Sequence, residues 1–339
     1  MPEQPETPAL VLFGPTGSGK TELLEKLFAH PNGGAEIVSA DSMQVYRGMD
    51  IGTAKPSPAL RKVLPHRLID IRNPDEQFTV GDFVHLADLC CTEIARQGML
   101  PVVSGGAGFY LKHFVQGLPE APPADPGIRA ELKEELRLRG TKALMAELAD
   151  CDPESARRIH SNDVYRLLRA LEVYRFSQRP LSSFSPVNRV SADRPKYRFL
   201  IIGLEREREE LYHRIDERCV QMFRAGLLEE VQRLFEAGYT PEDPGLRGIG
   251  YKEFFENLGE KPSPRYRLLS DISVVETLVR RNSRRYAKRQ ITYFASIPGA
   301  LWISASKEPV QQIAQAVQSL RSSGTDILHT LDNTVRVST

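Results

Sequence analysis

Eight consecutive residues constrain this chain more than any others: Gly14-Pro15-Thr16-Gly17-Ser18-Gly19-Lys20-Thr21. They match G-x-x-x-x-G-K-[ST] in full. The apolar run Ala9-Leu10-Val11-Leu12-Phe13 before them reads as a buried strand, and Glu22 to Phe28 after them has helical spacing. Strand, glycine turn and helix together make a phosphate-binding loop. Its glycines let successive backbone N–H groups converge on phosphate oxygens at a helix N-terminus, where the dipole favours negative charge. Lys20 is placed to meet the outermost phosphate, and the Thr21 hydroxyl to hold a Mg²⁺ ion. The motif demands a di- or triphosphate and leaves the reaction open.

With 339 residues the chain has room for about two domains. Charge is balanced, 45 Lys+Arg against 44 Asp+Glu, so a polyanion would have to be met by a local basic patch. Cys90, Cys91, Cys151 and Cys219 lack C-x-x-C spacing, and no H-E-x-x-H is present. The expectation is reduced thiols in a cytoplasmic protein, with neither a disulfide framework nor structural zinc. Met1 to Pro8 is acidic and Pro-rich, unlike a signal peptide, and no apolar run approaches the ~18 residues of a membrane span.

Ala35 to Ala40 reads as a second strand, and Asp41-Ser42-Met43-Gln44 follows it. Because ligands of parallel α/β sheets bind beyond the carboxyl ends of the strands, Asp41 should face the phosphate loop. Pro65 to Asp70 looks like another strand edge, Thr79 to Gly98 a helix closed by glycine, and Met99 to Ser104 a further buried strand. Gly105-Gly106-Ala107-Gly108 then turns into a helix. This turn resembles a second anion nest, although a plain tight turn is the simpler reading. Four βα-type units in the first ~115 residues argue for a parallel sheet with helices on both faces.

A Pro-rich boundary at 117–126 opens a charged segment, helical to about Gln178, in which Arg166 and Arg169 share a helix face. Tyr197 to Leu204 is apolar again and should rejoin the sheet. The fold expected is therefore α/β: a P-loop, nucleotide-kinase-like parallel sheet core (1–118 and 198–325), an inserted all-helical domain (119–197) and a helical C-terminal part. The tail 326–339 carries little pattern and is expected to be disordered. Helices are expected at Arg208 to Phe223, where Arg214 and Arg218 share a face, and at Leu227 to Phe235. Arg280, Arg281, Arg284, Arg285, Lys288 and Arg289, interleaved with Tyr286, Tyr293 and Phe294, form a candidate phosphate-backbone footprint.

Three functions compete for the loop. A GTPase switch needs an Asn-Lys-x-Asp motif, which is absent. A P-loop nucleoside or nucleotide kinase fits the core, but leaves the insertion and the basic C-terminal segment without a task. A transferase that grips a pyrophosphate leaving group and acts on nucleic acid uses all three parts; an adenylate prenyltransferase acting on free nucleotide is a related alternative. At this point a resemblance carries further. Gly14 to Thr21, Asp41 to Tyr46, Asp50 to Pro56, Pro65 to Asp70, Arg169 to Tyr174, Ile249 to Glu253 and Tyr286 to Thr292, in this order, resemble the bacterial tRNA dimethylallyltransferase (tRNA isopentenyltransferase) family over nearly the whole chain.

The resemblance implies transfer of a dimethylallyl group from dimethylallyl diphosphate to the exocyclic amine of the adenosine at position 37 of tRNA. It implies that Thr16 to Thr21 hold the prenyl diphosphate, that Asp41 contacts the target amine, and that Ser42, Met43 and Gln44 line the same wall. Arg218 matches a family arginine near the diphosphate. Arg129, Tyr165, Arg166, Leu167, Leu168, Arg169, the loop from Arg247 to Lys252, and Lys288 are implied contacts to the tRNA anticodon stem-loop. Two departures stand out. The family's Gly-Gly-Thr-Gly turn has Ala107 in place of threonine, which removes a hydroxyl expected near phosphate and tRNA, and its Thr-Arg is replaced by Ser283-Arg284. A monomer without a membrane association is expected.

Overall fold

The computed structural model describes residues 6–31, 33–118, 121–122, 125–184, 196–259, 265–307, 309–322 and 336–337. The chain divides into two compact units, one made of Met1–Val115 and Asp193–Thr339, the other of Gln116–Ala192.

The larger unit is built on one sheet. Strand β1 (Thr7–Phe13) lies at its centre, with Ala9 to Phe13 fully buried as the continuous apolar run predicts. The loop that follows feeds α1 (Lys20–Phe28), which turns Leu23, Leu24, Leu27 and Phe28 inward at helical spacing. Next come β2 (Ala35–Ser39), α2 (Pro58–Val63), and β3, which is confined to His66–Arg67 and so is much shorter than the strand expected over Pro65 to Asp70. Helix α3 (Val80–Arg96) starts at Thr79, whose side chain and that of Asp82 cap each other's backbone. Strand β4 (Leu100–Gly105) and α4 (Gly108–Gln116) complete the first half.

The second unit has helices α5 (Pro126–Cys151), α6 (Pro153–Arg158) and α7 (Val164–Ser177). Helix α5 breaks at Gly140, where φ is 76°. Its two halves fold onto α7 around Leu132, Leu144, Leu148, Leu167, Leu168 and Leu171. Arg175 is held between Glu135 and Glu147, at 2.6 and 2.5 Å.

In the larger unit the chain resumes with β5 (Tyr197–Glu205), α8 (Arg208–Arg224) and α9 (Leu227–Glu236), both helices ending at Ala-Gly as expected. A small antiparallel hairpin, β6 (Phe255–Asn257) with β7 (Tyr266–Leu268), leads into the long α10 (Ile272–Phe294). Strand β8 (Leu301–Ser304), α11 (Val310–Arg321) and β9 (Arg336–Val337) follow. The sheet order is β3-β2-β4-β1-β5-β8-β9, parallel from β3 to β8, with β9 antiparallel at the edge. The tail is thus not wholly without structure: Arg336 and Val337 pair with β8, because its outer edge offers backbone donors and acceptors that a short strand can satisfy. The rest of that tail lies outside the described residues. Among the described residues no helix is long and apolar enough to cross a membrane.

Strand β1 pairs with β4 on one side and β5 on the other. The phosphate loop, Asp41, Gly105 and Glu205 therefore all emerge at the same carboxyl edge of the sheet, where this topology opens a crevice.

Candidate active site

The crevice is a cavity of about 540 Å³. Thr16, Gly17, Gly19, Lys20 and Thr21 line one end, Asp41, Ser42, Met43 and Gln44 the facing wall, and α8 and α10 the sides. Gly14 sits behind the loop. A Cβ on Gly14 would come 2.7 Å from Ser18 Oγ and 3.0 Å from Leu204 O, so β5 can pass close only because the side chain is missing. Gly17 and Gly19 have φ of 81° and 96°, the left-handed conformation that turns backbone N–H groups toward one point. Pro15 O accepts from Ser18 N at 3.1 Å, which closes the turn.

Two arginines outside the motif brace the loop by its carbonyls. Arg214 donates through Nε to Gly17 O at 2.9 Å and pairs with Glu22 at 2.5 Å, and Arg206 donates to Ser18 O at 3.3 Å. With its carbonyl oxygens engaged from behind, the loop leaves its N–H side toward the cavity. Lys20 Nζ donates to Gly14 O and Pro15 O at 2.7 and 3.0 Å. Burial, and then the Arg218 guanidinium, bring the Lys20 ammonium down to about 8, partly offset by Asp41. Arg218 projects from α8 into the same cavity, and burial lowers its pKa too, against the opposing pull of Asp41. Two cations thus crowd one end of a partly desolvated space, an arrangement that favours an anion between them.

Asp41 is fixed by its own turn. Its Oδ1 accepts from Met43 N at 2.8 Å and Gln44 N at 3.2 Å. That leaves Oδ2 as the acceptor with no partner among the described residues. The Tyr286 hydroxyl is pushed up to about 12, first by burial and then by the Asp41 carboxylate. The third character of the cavity is apolar. Ile215, Cys219 and Met222 recur along α8, and Val279 faces them from α10. The site can therefore hold an anionic group on the loop, lay a hydrocarbon group along α8, and present a carboxylate oxygen to a third group. Thr21 is exposed and lines the cavity, and among the described residues no cluster of three His, Cys, Asp or Glu side chains forms a metal cage. The Thr21 hydroxyl is the kind of oxygen donor that a Mg²⁺ held mainly by diphosphate oxygens takes.

The inner face of α10 is what the sequence reading missed. Val279, Ser283, Tyr286 and Gln290 follow at 4-3-4 spacing and all line the cavity. Gln290 is the most consequential, for its Oε1 accepts from Thr16 N at 2.9 Å while its Nε2 donates to Gly106 O at 2.7 Å. One buried amide thus ties the phosphate loop to the second glycine turn. The helical period opposite the basic face was the signal that would have found it. On that basic face Arg281, Arg285, Lys288 and Arg289 are exposed. Arg280 and Arg284 are not part of it, being paired with Glu276 and Asp216.

Several expected site residues are placed differently. At the Ala107 turn, Ala107 N donates to Ala40 O at 3.1 Å and Gly108 N to Gly106 O at 3.1 Å, so these two donors are spent on the turn itself. Gly105 is required because a Cβ there would come 2.0 Å from Ala40 O. Leu167 and Leu168 are 0% and 4% exposed in the core of the helical unit, so their side chains stabilise α7 and cannot reach a ligand from there. Within that unit Arg129 and Arg169 both pair with Glu172 at 3.1 Å, and Arg129 lies over the Tyr165 ring. Arg166 and Tyr165 are exposed. Arg247 donates to Glu242 O, Lys252 is exposed, and Gly248, Ile249 and Gly250 between them line the cavity.

A family model described as IPP transferase matches residues 44–296. The tRNA dimethylallyltransferase of Geobacter sulfurreducens is 46% identical over 298 residues, spanning 88% of this chain and 92% of that protein. In Pelobacter propionicus, tRNA dimethylallyltransferase 1 is 42% identical over 87% of this chain and 91% of its own length. The crystal structure of the full-length tRNA isopentenylpyrophosphate transferase from Bacillus halodurans superposes with a TM-score of 0.62 at 32% identity, covering 94% of this chain and 97% of that one. A eukaryotic dimethylallyltransferase solved while acting on tRNA shares the fold, with a TM-score of 0.71 at 24% identity over 92% of this chain and 78% of that one.

Proposed function

Because the chain belongs to the IPP transferase family, we propose that it transfers a dimethylallyl group from dimethylallyl diphosphate to the exocyclic amine of adenosine 37 in the tRNA anticodon loop. The observation that carries this reading is the cavity itself: phosphate loop, Lys20 and Arg218 at one end, an apolar wall along α8, and Asp41 facing them.

In the reaction the bond between the allylic carbon and the diphosphate oxygen breaks, and its electron pair leaves with diphosphate. Loop N–H groups, Lys20 and Arg218 stabilise that departing charge, the dominant task in such a transfer. A Mg²⁺ held by Thr21 and the diphosphate would add charge neutralisation. The adenine amine, a poor nucleophile because its lone pair is delocalised into the ring, forms the new C–N bond and becomes acidic. Asp41 accepts the proton through the oxygen its own turn leaves open. Ile215, Cys219 and Met222 keep water from the cation-like carbon.

The base must leave its stack to reach the cavity, at a cost of a few kcal/mol. The exposed cations of α10, together with Arg166 and Tyr165 of the helical unit, supply RNA contacts, and the protein acts as a monomer. The test is direct. Incubation with unmodified tRNA and radiolabelled dimethylallyl diphosphate should put label into RNA; ATP consumption with a small nucleoside, and no prenyl transfer, would favour the kinase instead.

A further inference from the structure

Resting on that reading, we infer that Glu230, which does not line the cavity, is a positioning residue that sets the wall against which the target base lies. Glu230 sits on α9 at 1% exposure and four donors converge on its carboxylate. Oε2 accepts from Asp50 N and Ile51 N, both at 2.8 Å, and Oε1 accepts from Gly52 N at 3.0 Å and from the Tyr251 hydroxyl at 2.7 Å. Charge-assisted bonds of this kind are about twice as strong as neutral ones, and three of the four go to consecutive backbone amides. The carboxylate thus fixes a turn of main chain from behind.

The turn it fixes runs directly into the cavity lining at Gly52, Thr53 and Ala54. Its clearance is set by Tyr251, fully buried against Gly52, where a Cβ would lie 2.5 Å from Tyr251 Cζ. From this turn the constraint passes to the base-facing wall through one side chain. Gln44 Nε2 donates to Thr53 O and Ala54 O at 3.3 Å, its Oε1 accepts from Ser39 Oγ at 3.0 Å, and its backbone N donates to Asp41 Oδ1 at 3.2 Å. Glu230, the 50–54 turn, Gln44 and Asp41 therefore form one connected set of hydrogen bonds. None of these bonds reaches the phosphate loop. The arrangement predicts that losing Glu230 disturbs the RNA side of the reaction and spares the diphosphate side.

Glu230→Gln keeps the volume but puts an NH₂ where two donors expect an acceptor. Steady-state kinetics should show kcat/KM for tRNA falling by about tenfold or more while the KM for dimethylallyl diphosphate moves by less than about twofold. In a double-mutant cycle, adding Glu230→Gln to Gln44→Ala should cost no more than about a further twofold, because both act through the same wall. Should Glu230→Gln fail to fold, Tyr251→Phe carries the same cycle, since it removes a single hydroxyl from the network. Multiplicative effects in the cycle, or an equal rise in both KM values, would overturn the assignment. Wild-type enzyme that labels no tRNA would sink the functional reading and this inference with it; normal labelling with an additive cycle removes the inference alone.

Discussion

Helices α7 and α8 each carry arginines at helical spacing, and they put them to opposite uses. On α7, Arg169 joins Arg129 at Glu172, which is 1% exposed, and the cations hold the helical unit together. On α8, Arg218 lines the cavity and makes no ion pair among the described residues. The deciding feature is a neighbouring carboxylate. Where one is buried three residues along the same helix, the arginine is satisfied by the fold. At Arg218 none is, so its charge stays available to a ligand, and burial raises its electrostatic reach.

Asp41 tests the ligand-directed side hardest. Asp41→Ala should lower turnover by about 10²–10⁴-fold with tRNA affinity nearly unchanged, as single-turnover rates and filter binding would show. Next comes the arginine contrast itself. Arg218→Ala should reduce kcat by about 10²–10³-fold with the melting temperature preserved, the size seen when one anion-stabilising donor is removed. A melting temperature that falls along with activity would place Arg218 with the structural arginines. Glu172→Ala should do the reverse: it removes the carboxylate that two partly buried cations share and should destabilise the protein by about 1–3 kcal/mol in denaturant titrations, leaving diphosphate affinity intact.

The pH response of Lys20 is a smaller effect with a defined sign. Its pKa near 8 lies below the ordinary 10.5, so above pH 8 the ammonium loses its proton and diphosphate loses a counter-charge. Diphosphate affinity should weaken by up to about tenfold per pH unit from 8 toward 10.5 in calorimetry, and binding there should take up a proton. For stability the sign is opposite. The unfolded chain binds more protons than the folded one in that window, so this group's contribution rises with pH between about 8 and 10.5. The smallest change is expected on the exposed cationic face of α10. Lys288→Ala should weaken tRNA binding a few-fold and reduce the salt slope by about one, without altering kcat.

Much of this was legible in the chain. Strands β1 and β4 carry apolar runs that end at glycine, and the loop after β1 carries a complete phosphate-binding motif, local patterns that a parallel sheet enforces. The helical insertion showed as a loss of strands between two proline- and sheet-like boundaries. What escaped were the short elements, the β6–β7 hairpin and β9, since pairings of two or three residues leave no period to read. In the site, Lys20, Asp41 and Arg218 could be named from motif and resemblance. Gln290 and Glu230 could not be assigned a role, and Tyr251 entered only within the loop from Arg247 to Lys252 that the resemblance gives to tRNA, because their partners lie 274, 178 to 180 and 21 residues away along the chain. The same blindness explains Leu167 and Leu168, whose motif position is informative but whose side chains the core had already claimed.

The Gln290 amide has one more consequence. By accepting from Thr16 N it consumes one of the donors that a phosphate loop otherwise offers, so the anion must be gripped by the amides further along. In exchange the cradle is pinned to the same long helix whose outer rim carries the exposed cations Arg281, Arg285, Lys288 and Arg289. Tilting that rod by a fraction of an ångström at one substrate would be felt at the other, giving the two halves of the reaction a shared mechanical reference.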